Sequence, residues 1–304
     1  MLALNDQTYA CQRRCTIPGH HCFEATYEIL GTTFRVSSAS RVGTDLERLL
    51  APFPPAAAEV PESRHFRLVE EPPGPICRLY RGRDLLWSSL ERRLALGSLL
   101  AFLNAAAIDG FSGFAAHAGV VADADNRAIA CMAASGTGKS TLVAASLSAG
   151  FSYVSDEALC VSSEEGAVLT YPKPLQLSTL SCQVLRLPDI GGEDEEINLT
   201  HGDFRTPIAT PPISLAHIVR LVRRPGDAEL RDVPQSRGVA WLLERSFNHY
   251  KRPQQSFHIV AELASRSHAW ELAYEEAADA VLLIKKALPQ RPVRPFPPCL
   301  KSRA

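Results

Sequence analysis

Residues 24–35, EATYEILGTTFR, alternate polar and apolar positions and then run apolar, which predicts a strand or hairpin about Gly31. LERLLAPF predicts a short helix stopped by prolines, and the Pro- and Ala-rich residues 52–62 a loop. HFRLVEE and ICRLYRGRDLLWSS predict strands, with a turn at Gly82-Arg83-Asp84. In ERRLALGSLLAFLNAAAI the apolar residues Leu94, Leu96, Leu99, Leu100 and Leu103 recur at helical spacing. This helix is expected to join a small N-terminal α+β domain, 1–95, to a larger domain, 96–290. No internal repeat is visible.

The second domain is expected to have its core from about Gly113. HAGVVADADNRAIACMAA places two apolar runs around the polar turn 123–127, a β-hairpin pattern. KSTLVAASLSAG predicts a helix closed by Gly150. FSYVSDEALCVSS reads as strand, acidic pair, strand, then a turn at 163–166 and a further strand in AVLTYPKPLQLS. GGEDEE is a Gly-acidic loop. Residues 215–222 predict a strand, and 235–252 and 270–287 predict helices. Residues 291–304 form a proline-rich tail.

The chain has 304 residues, 46% hydrophobic and 21% charged, with a formal net charge of −1. This is an ordinary soluble composition. The charge offers no electrostatic basis for a nucleic-acid or membrane surface. No apolar run reaches the roughly 20 residues of a membrane span, and residence in the cytoplasm is expected. Cys131 and Cys160 lie in strand-like runs and are expected to be buried thiols. Cys11, Cys15, His20, His21 and Cys22 are zinc-type ligands at a spacing that matches no standard finger or ribbon, and a loose segment with reduced thiols is the plainer expectation.

The chemistry concentrates at CMAASGTGKSTL. It fits the phosphate-loop motif G-x-x-x-x-G-K-[ST] except for Ala133 at the first glycine. Such a loop turns consecutive backbone N–H groups into one concavity at the positive end of a helix. Ser135, Gly136, Thr137, Gly138, Lys139, Ser140 and Thr141 are the candidate nucleotide-binding residues. Lys139 would reach the β- and γ-phosphates and Ser140 a metal ion. Asp156 and Glu157 follow at the end of the next predicted strand. Phosphoryl transfer needs charge neutralisation and a group to orient or deprotonate the acceptor hydroxyl. Asp156 is the candidate base and Glu157 the metal ligand, and adjacent carboxylates leave the reverse assignment open.

HAGVV, SGTGKSTL and YVSDEAL, in that order, resemble the catalytic domain of HPr kinase/phosphorylase and its related kinases. The P-loop phosphoenolpyruvate carboxykinases share that fold and a very similar loop. The resemblance covers roughly 113–180, and 214–226 more weakly. It implies an α/β (α+β) fold: a phosphoenolpyruvate carboxykinase-like P-loop kinase core with a mixed sheet beside a small N-terminal α+β domain. It also implies ATP and Mg²⁺ as cofactors and an active-site role for His117. The chain departs from the family in carrying Ala133, in having Asp-Glu for Asp-Asp, and in lacking the later glycine-rich segment associated with the reverse phosphorylase reaction. The branch most like it includes kinases of peptide natural-product pathways that phosphorylate a precursor peptide, as in lasso peptides.

The expected function is therefore an ATP-dependent Ser/Thr-type kinase of a peptide or small protein. A kinase of a small hydroxyl metabolite and a non-catalytic nucleotide-binding regulator are the alternatives. Arg223 and Arg224 are candidates to clamp the transferred phosphate, and Lys173 is a weaker one. ATP against GTP and the oligomeric state, a homo-oligomer included, stay open.

Overall fold

The computed structural model describes residues 21–40, 42–71, 76–134, 136–187 and 196–287. The chain is a mixed α/β protein of the α+β kind, with several sheets and seven α-helices among the described residues. It divides into two compact units, the first ending at Gly110 and the second beginning at Phe111.

The first unit is built on a five-stranded sheet in chain order: β1 (His21–Ile29), β2 (Thr32–Ser40), β3 (His65–Glu71), β4 (Ile76–Arg81) and β5 (Asp84–Ser89). Only the β2–β3 pair is parallel. Helix α1 (Gly43–Leu50) makes the connection that a parallel pair requires. The β1–β2 turn puts Leu30 and Gly31 at φ 51° and 75°, the left-handed pair that a two-residue hairpin uses. Helix α2 (Arg92–Gly110) lies wholly on this side of the division, so the helix foreseen as a link ends the first unit. Of the five Cys and His residues near the N-terminus, only His21 and Cys22 fall among the described residues, on β1.

In the second unit, β6 (Phe114–His117), β7 (Gly119–Ala122) and β8 (Arg127–Met132) lead to α3 (Lys139–Ser148). Then come β9 (Ser152–Ser155), β10 (Ala158–Val161), β11 (Val168–Leu169), β12 (Leu175–Ser178), α4 (Thr179–Val184) and β13 (Glu196–Leu199). The chain continues through β14 (Ser214–Arg223), β15 (Glu229–Val233), α5 (Gln235–Glu244), α6 (Pro253–Arg266), β16 (His268–Tyr274) and α7 (Ala277–Ala287). A six-stranded sheet runs in the order β15-β16-β14-β8-β7-β9, and a three-stranded sheet in the order β11-β10-β6.

β14 is parallel to both β8 and β16, while β7 is antiparallel to β8 and to β9. Strands β8, β9, β14 and β16 therefore all end at one edge of the sheet. One face is covered by α3 and α7, with Leu142, Leu147, Tyr153, Trp270 and Ile284 in its core. The other is covered by α5, α6 and the small sheet, around Val120, Leu159, Trp241, Leu242 and Val260. With helices on both faces the central strands are buried on both sides, which is why β7 and β8 read as unbroken apolar runs rather than alternating ones.

The helix expected over 270–287 is a correction. Residues 268–274 form strand β16, paired with β14 and β15, and only 277–287 are helical. Burial on both faces removes the alternation that marks a strand, and the Ala- and Glu-rich continuation lends the segment helical spacing. Helix α6 and the edge strand β15 are further elements without a counterpart in the sequence reading. The segment 235–252 is helical only through Glu244, followed by a 3-10 turn at His249–Lys251. GGEDEE, apart from Glu196, and the proline-rich tail lie outside the described residues. Cys131 and Cys160 are buried free thiols, and burial pushes the Cys131 pKa up to about 12. No helix among the described residues is long and apolar enough to cross a membrane.

Candidate functional site

The loop 133–138 leaves β8 at the edge where the four co-directional strands end. Gly136 and Gly138 sit at φ 78° and 93°, left-handed conformations that L side chains rarely take. At Gly138 space matters too: an added Cβ would stand 3.2 Å from Arg223 Nη1 and 3.4 Å from the Tyr274 hydroxyl. Ala133 is buried and is not left-handed, so its backbone makes no demand for glycine. It belongs to the same buried core as Leu142 and Tyr274. The tyrosine hydroxyl donates to the Thr137 carbonyl at 3.2 Å, tying the loop to the end of β16. Ser135 lies outside the described residues.

Local chain geometry brings the acidic pair to this loop. Helix α3 runs about 15 Å away from the loop, at 1.5 Å per residue, and β9 returns about 13 Å, at 3.3 Å per residue. Between them the Gly150 amide donates to Leu147 and the Phe151 amide to Ser146, with Gly150 at φ 95°. This is a Schellman closure, and it makes the reversal tight. Asp156 thus arrives level with Lys139, whose Nζ donates to the Asp156 carbonyl at 2.7 Å.

The two carboxylates have different surroundings. Asp156 is buried, its Oδ1 has no hydrogen-bond partner, and Ser140 hydrogen-bonds its carboxyl group. Burial raises its pKa from the ordinary 3.8, against the opposing pull of Lys139 and Lys173. Glu157 is held by Lys173 at 3.0 Å and approached by His117 Nδ1 at 3.4 Å. Burial pushes its pKa up, but hydrogen bonding from His117 and the charge of Lys173 outweigh that and bring it down to about 2. Lys173 is itself buried, and the Tyr153 hydroxyl donates to its backbone carbonyl.

His117 ends β6 where β6 gives way to β7. Its amide donates to the Arg245 carbonyl at 2.8 Å, and its ring meets Phe247 edge-on at 5.6 Å between centroids. Buried Asn248 clamps the same strand, accepting from the Ala115 amide and donating to the Gly113 carbonyl. Gly119, two residues after His117, faces α3: an added Cβ would lie 2.5 Å from Val143 Cγ2 and 3.2 Å from Lys139 Cγ. Val143 is β-branched and buried, so it cannot swing aside. Gly119→Ala is expected to cost about 1–3 kcal/mol and to shift α3 with Lys139. Chemical denaturation together with nucleotide affinity measures both effects.

Arg223 stands over the Tyr274 ring at 6.0 Å, beside the loop. Arg224 points instead to Glu229. Thr141 shares a 2.8 Å hydroxyl hydrogen bond with Ser181 of α4. Lys139, Ser140, Asp156, Glu157, His117, Lys173 and Arg223 are thus gathered at one sheet edge, and Arg224 is turned away. The sequence reading gave Tyr274 and Gly119 no role of their own: one lay inside the segment read as helix, the other stood within HAGVV beside His117. Among the described residues no group of three or more His, Cys, Asp or Glu is placed to hold a metal ion. The chain matches no protein-family model and no curated protein.

Proposed function

We propose that the second unit is an ATP-dependent kinase with a P-loop core of the HPr-kinase type, which phosphorylates a seryl or threonyl hydroxyl of a peptide or small protein. The observation that carries this reading is the unpartnered, buried Oδ1 of Asp156, next to Ser140 and Lys139 at a glycine-bent loop. A buried carboxylate oxygen without a partner is costly, and a bound cation would satisfy it. The glycine cradle and the free helix N-terminus suit phosphate. These residues fit a magnesium–nucleotide pair: the amides of Gly136, Gly138 and Lys139 with the Lys139 ammonium for the phosphates, Ser140 and Asp156 for the metal. Bound Mg²⁺-ATP supplies the γ-phosphoryl group, whose bond to the bridging oxygen breaks as ADP leaves.

The contacts favour the second of the two orders that sequence leaves open for the carboxylates. Asp156 faces Ser140 and the loop. Glu157 faces His117 and stays ionised at any physiological pH, since its pKa is about 2. In a loose transition state the acceptor hydroxyl needs orienting more than early deprotonation. Glu157 accepts that hydrogen bond, and the proton leaves through it to solvent as the hydroxyl oxygen bonds to phosphorus. His117 and Lys173 fix its carboxylate in place. Arg223 neutralises charge on the group in transit. A small hydroxyl metabolite is the second acceptor class, favoured by the modest cavity of about 290 Å³ beside the loop.

Incubating the protein with γ-labelled ATP and candidate acceptors, read by mass, tests the reading. Lys139→Ala is expected to lower transfer at least about 100-fold, as loss of one preorganised charge-stabilising contact does. It is also expected to weaken binding of a fluorescent ATP analogue. Unchanged nucleotide binding in that variant would remove the loop from the mechanism.

A further inference from the structure

The cavity beside the loop lies on the sheet face opposite α3. Its walls are Met132, Ala133 and Ala134 on the loop side, with Leu221 and Val222 of β14 and Trp241 of α5. Its polar groups are Arg220, Arg223, Arg245 and Glu244. Glu244 is matched to Arg245 at 3.4 Å. Neither Arg220 nor Arg223 has an ion-pair partner among the described residues. Each instead has its guanidinium carbon over a ring, Arg220 over Trp241 at 5.7 Å and Arg223 over Tyr274 at 6.0 Å. A guanidinium held by a ring in this way keeps N–H donors available to an anion. The cavity therefore carries two ring-supported cations without ion-pair partners, beside an apolar wall.

Its position joins it to the proposed chemistry. Arg223 Nη1 would meet a Cβ on Gly138, so one of these cations touches the phosphate loop. At the other end Arg245 accepts the His117 amide through its carbonyl, and His117 abuts Glu157. The cavity thus borders the loop on one side and, through Arg245, the end of the strand that carries His117 on the other.

We infer that this cavity is the acceptor pocket and that it selects an acidic acceptor, one with a carboxylate close to the hydroxyl that is phosphorylated. The inference rests on the kinase reading above. Arg220 takes the carboxylate through its N–H donors, Arg245 lines the same wall, and Arg223 serves the phosphoryl group. Such a carboxylate is present in a free hydroxy acid and in a peptide whose serine is flanked by aspartates.

The test uses the full chain labelled with 5-fluorotryptophan, whose Trp241 resonance reports the Arg220 contact and is assigned by its loss in Trp241→Phe. The probes are D-glycerate against glycerol, and acetyl-Asp-Ser-Asp-amide against acetyl-Asn-Ser-Asn-amide, at constant ionic strength. A saturable shift of the Trp241 signal is expected with an acidic probe and none with its neutral partner. A response to glycerate alone identifies a small hydroxy acid, and a response to the peptide alone a peptide. Arg220→Ala is expected to weaken the midpoint about tenfold, the usual loss for a hydrogen bond to a charged group. Equal shifts from acidic and neutral probes, no shift from any probe, or an unchanged midpoint in Arg220→Ala would overturn the inference. Binding of a fluorescent ATP analogue to the unaltered protein is followed separately. Its failure with the Trp241 response intact sinks the kinase reading and leaves an anion pocket; the converse sinks the pocket alone.

Discussion

Replacing Asp156 by Asn is expected to lower the proposed phosphoryl transfer about 1000-fold and, at the same time, to stabilise the ligand-free protein. The two effects share one cause. Burial disfavours the ionised Asp156, so its folded-state pKa lies above the ordinary value of 3.8. A raised carboxylate pKa makes folding less favourable as pH climbs through it. The neutral isostere escapes that loss, and the advantage should be present at pH 7 and gone below about pH 3.8. A gain of about 1 kcal/mol raises the melting temperature of a domain this size by roughly 2–4 °C. Activity should fall by about 1000-fold, because on the proposed reading a carboxylate that faces the metal and an electrostatic contact are lost together. Magnesium with ATP should raise the melting temperature of the unaltered protein far more than that of the variant. A variant that melts lower at pH 7, or that keeps its transfer rate, would contradict this account of the buried oxygen. Sites that function through an unsatisfied charge commonly trade stability for activity in this way.

The Lys173–Glu157 pair should behave in the opposite sense. The folded-state pKa of Glu157, about 2 against the ordinary 4.5, is brought down by hydrogen bonding from His117 first and by the charge of Lys173 second. Its contribution is complete above about pH 4.5 and is lost as pH falls from there to about 2. A depression of this size corresponds to roughly 3 kcal/mol, shared between His117 and Lys173. Lys173→Met removes the partner and leaves Glu157 uncompensated in a mostly buried place. It is expected to destabilise by about 3–5 kcal/mol and to move the Glu157 titration upward. Glu157→Gln alone strands the buried Lys173 charge and should be costly too. The double variant, Lys173→Met with Glu157→Gln, should recover much of the stability of either single change while remaining inactive. Additive costs in that cycle, measured by denaturant unfolding at pH 7 and pH 4, would show that the pair is not coupled.

Much of the site is legible in the sequence because its signals are local. Two glycines, a lysine and a serine in CMAASGTGKSTL can be read as a loop before a helix, since the backbone angles and the helix N-terminus are properties of consecutive residues. Gly150 marks the reversal, and the short strand after it places Asp156 near Lys139 by length alone. The hairpin before the loop is equally local, two apolar runs about a polar turn. The first-unit strands follow from alternation, which holds where one sheet face is covered less than the other.

The rest depends on contacts distant in sequence. Whether 268–274 is helix or strand was decided by β14 and β15 on its two sides, because a strand buried on both faces loses the period that identifies it. Which carboxylate faces the loop was decided by packing: adjacent residues at a strand end point to opposite sides, and only the folded chain brings Ser140 to Asp156, and His117 and Lys173 to Glu157. The choice between Arg223 and Arg224 was made in the same way, by the Tyr274 ring under one and Glu229 beside the other. Sequence by itself determined the loop, its helix and the acidic pair, and suggested the chemistry proposed for them. Tertiary structure alone decided how charge is distributed around them, because burial and the pairing of distant residues set the pKa of each group and the sign of each cavity.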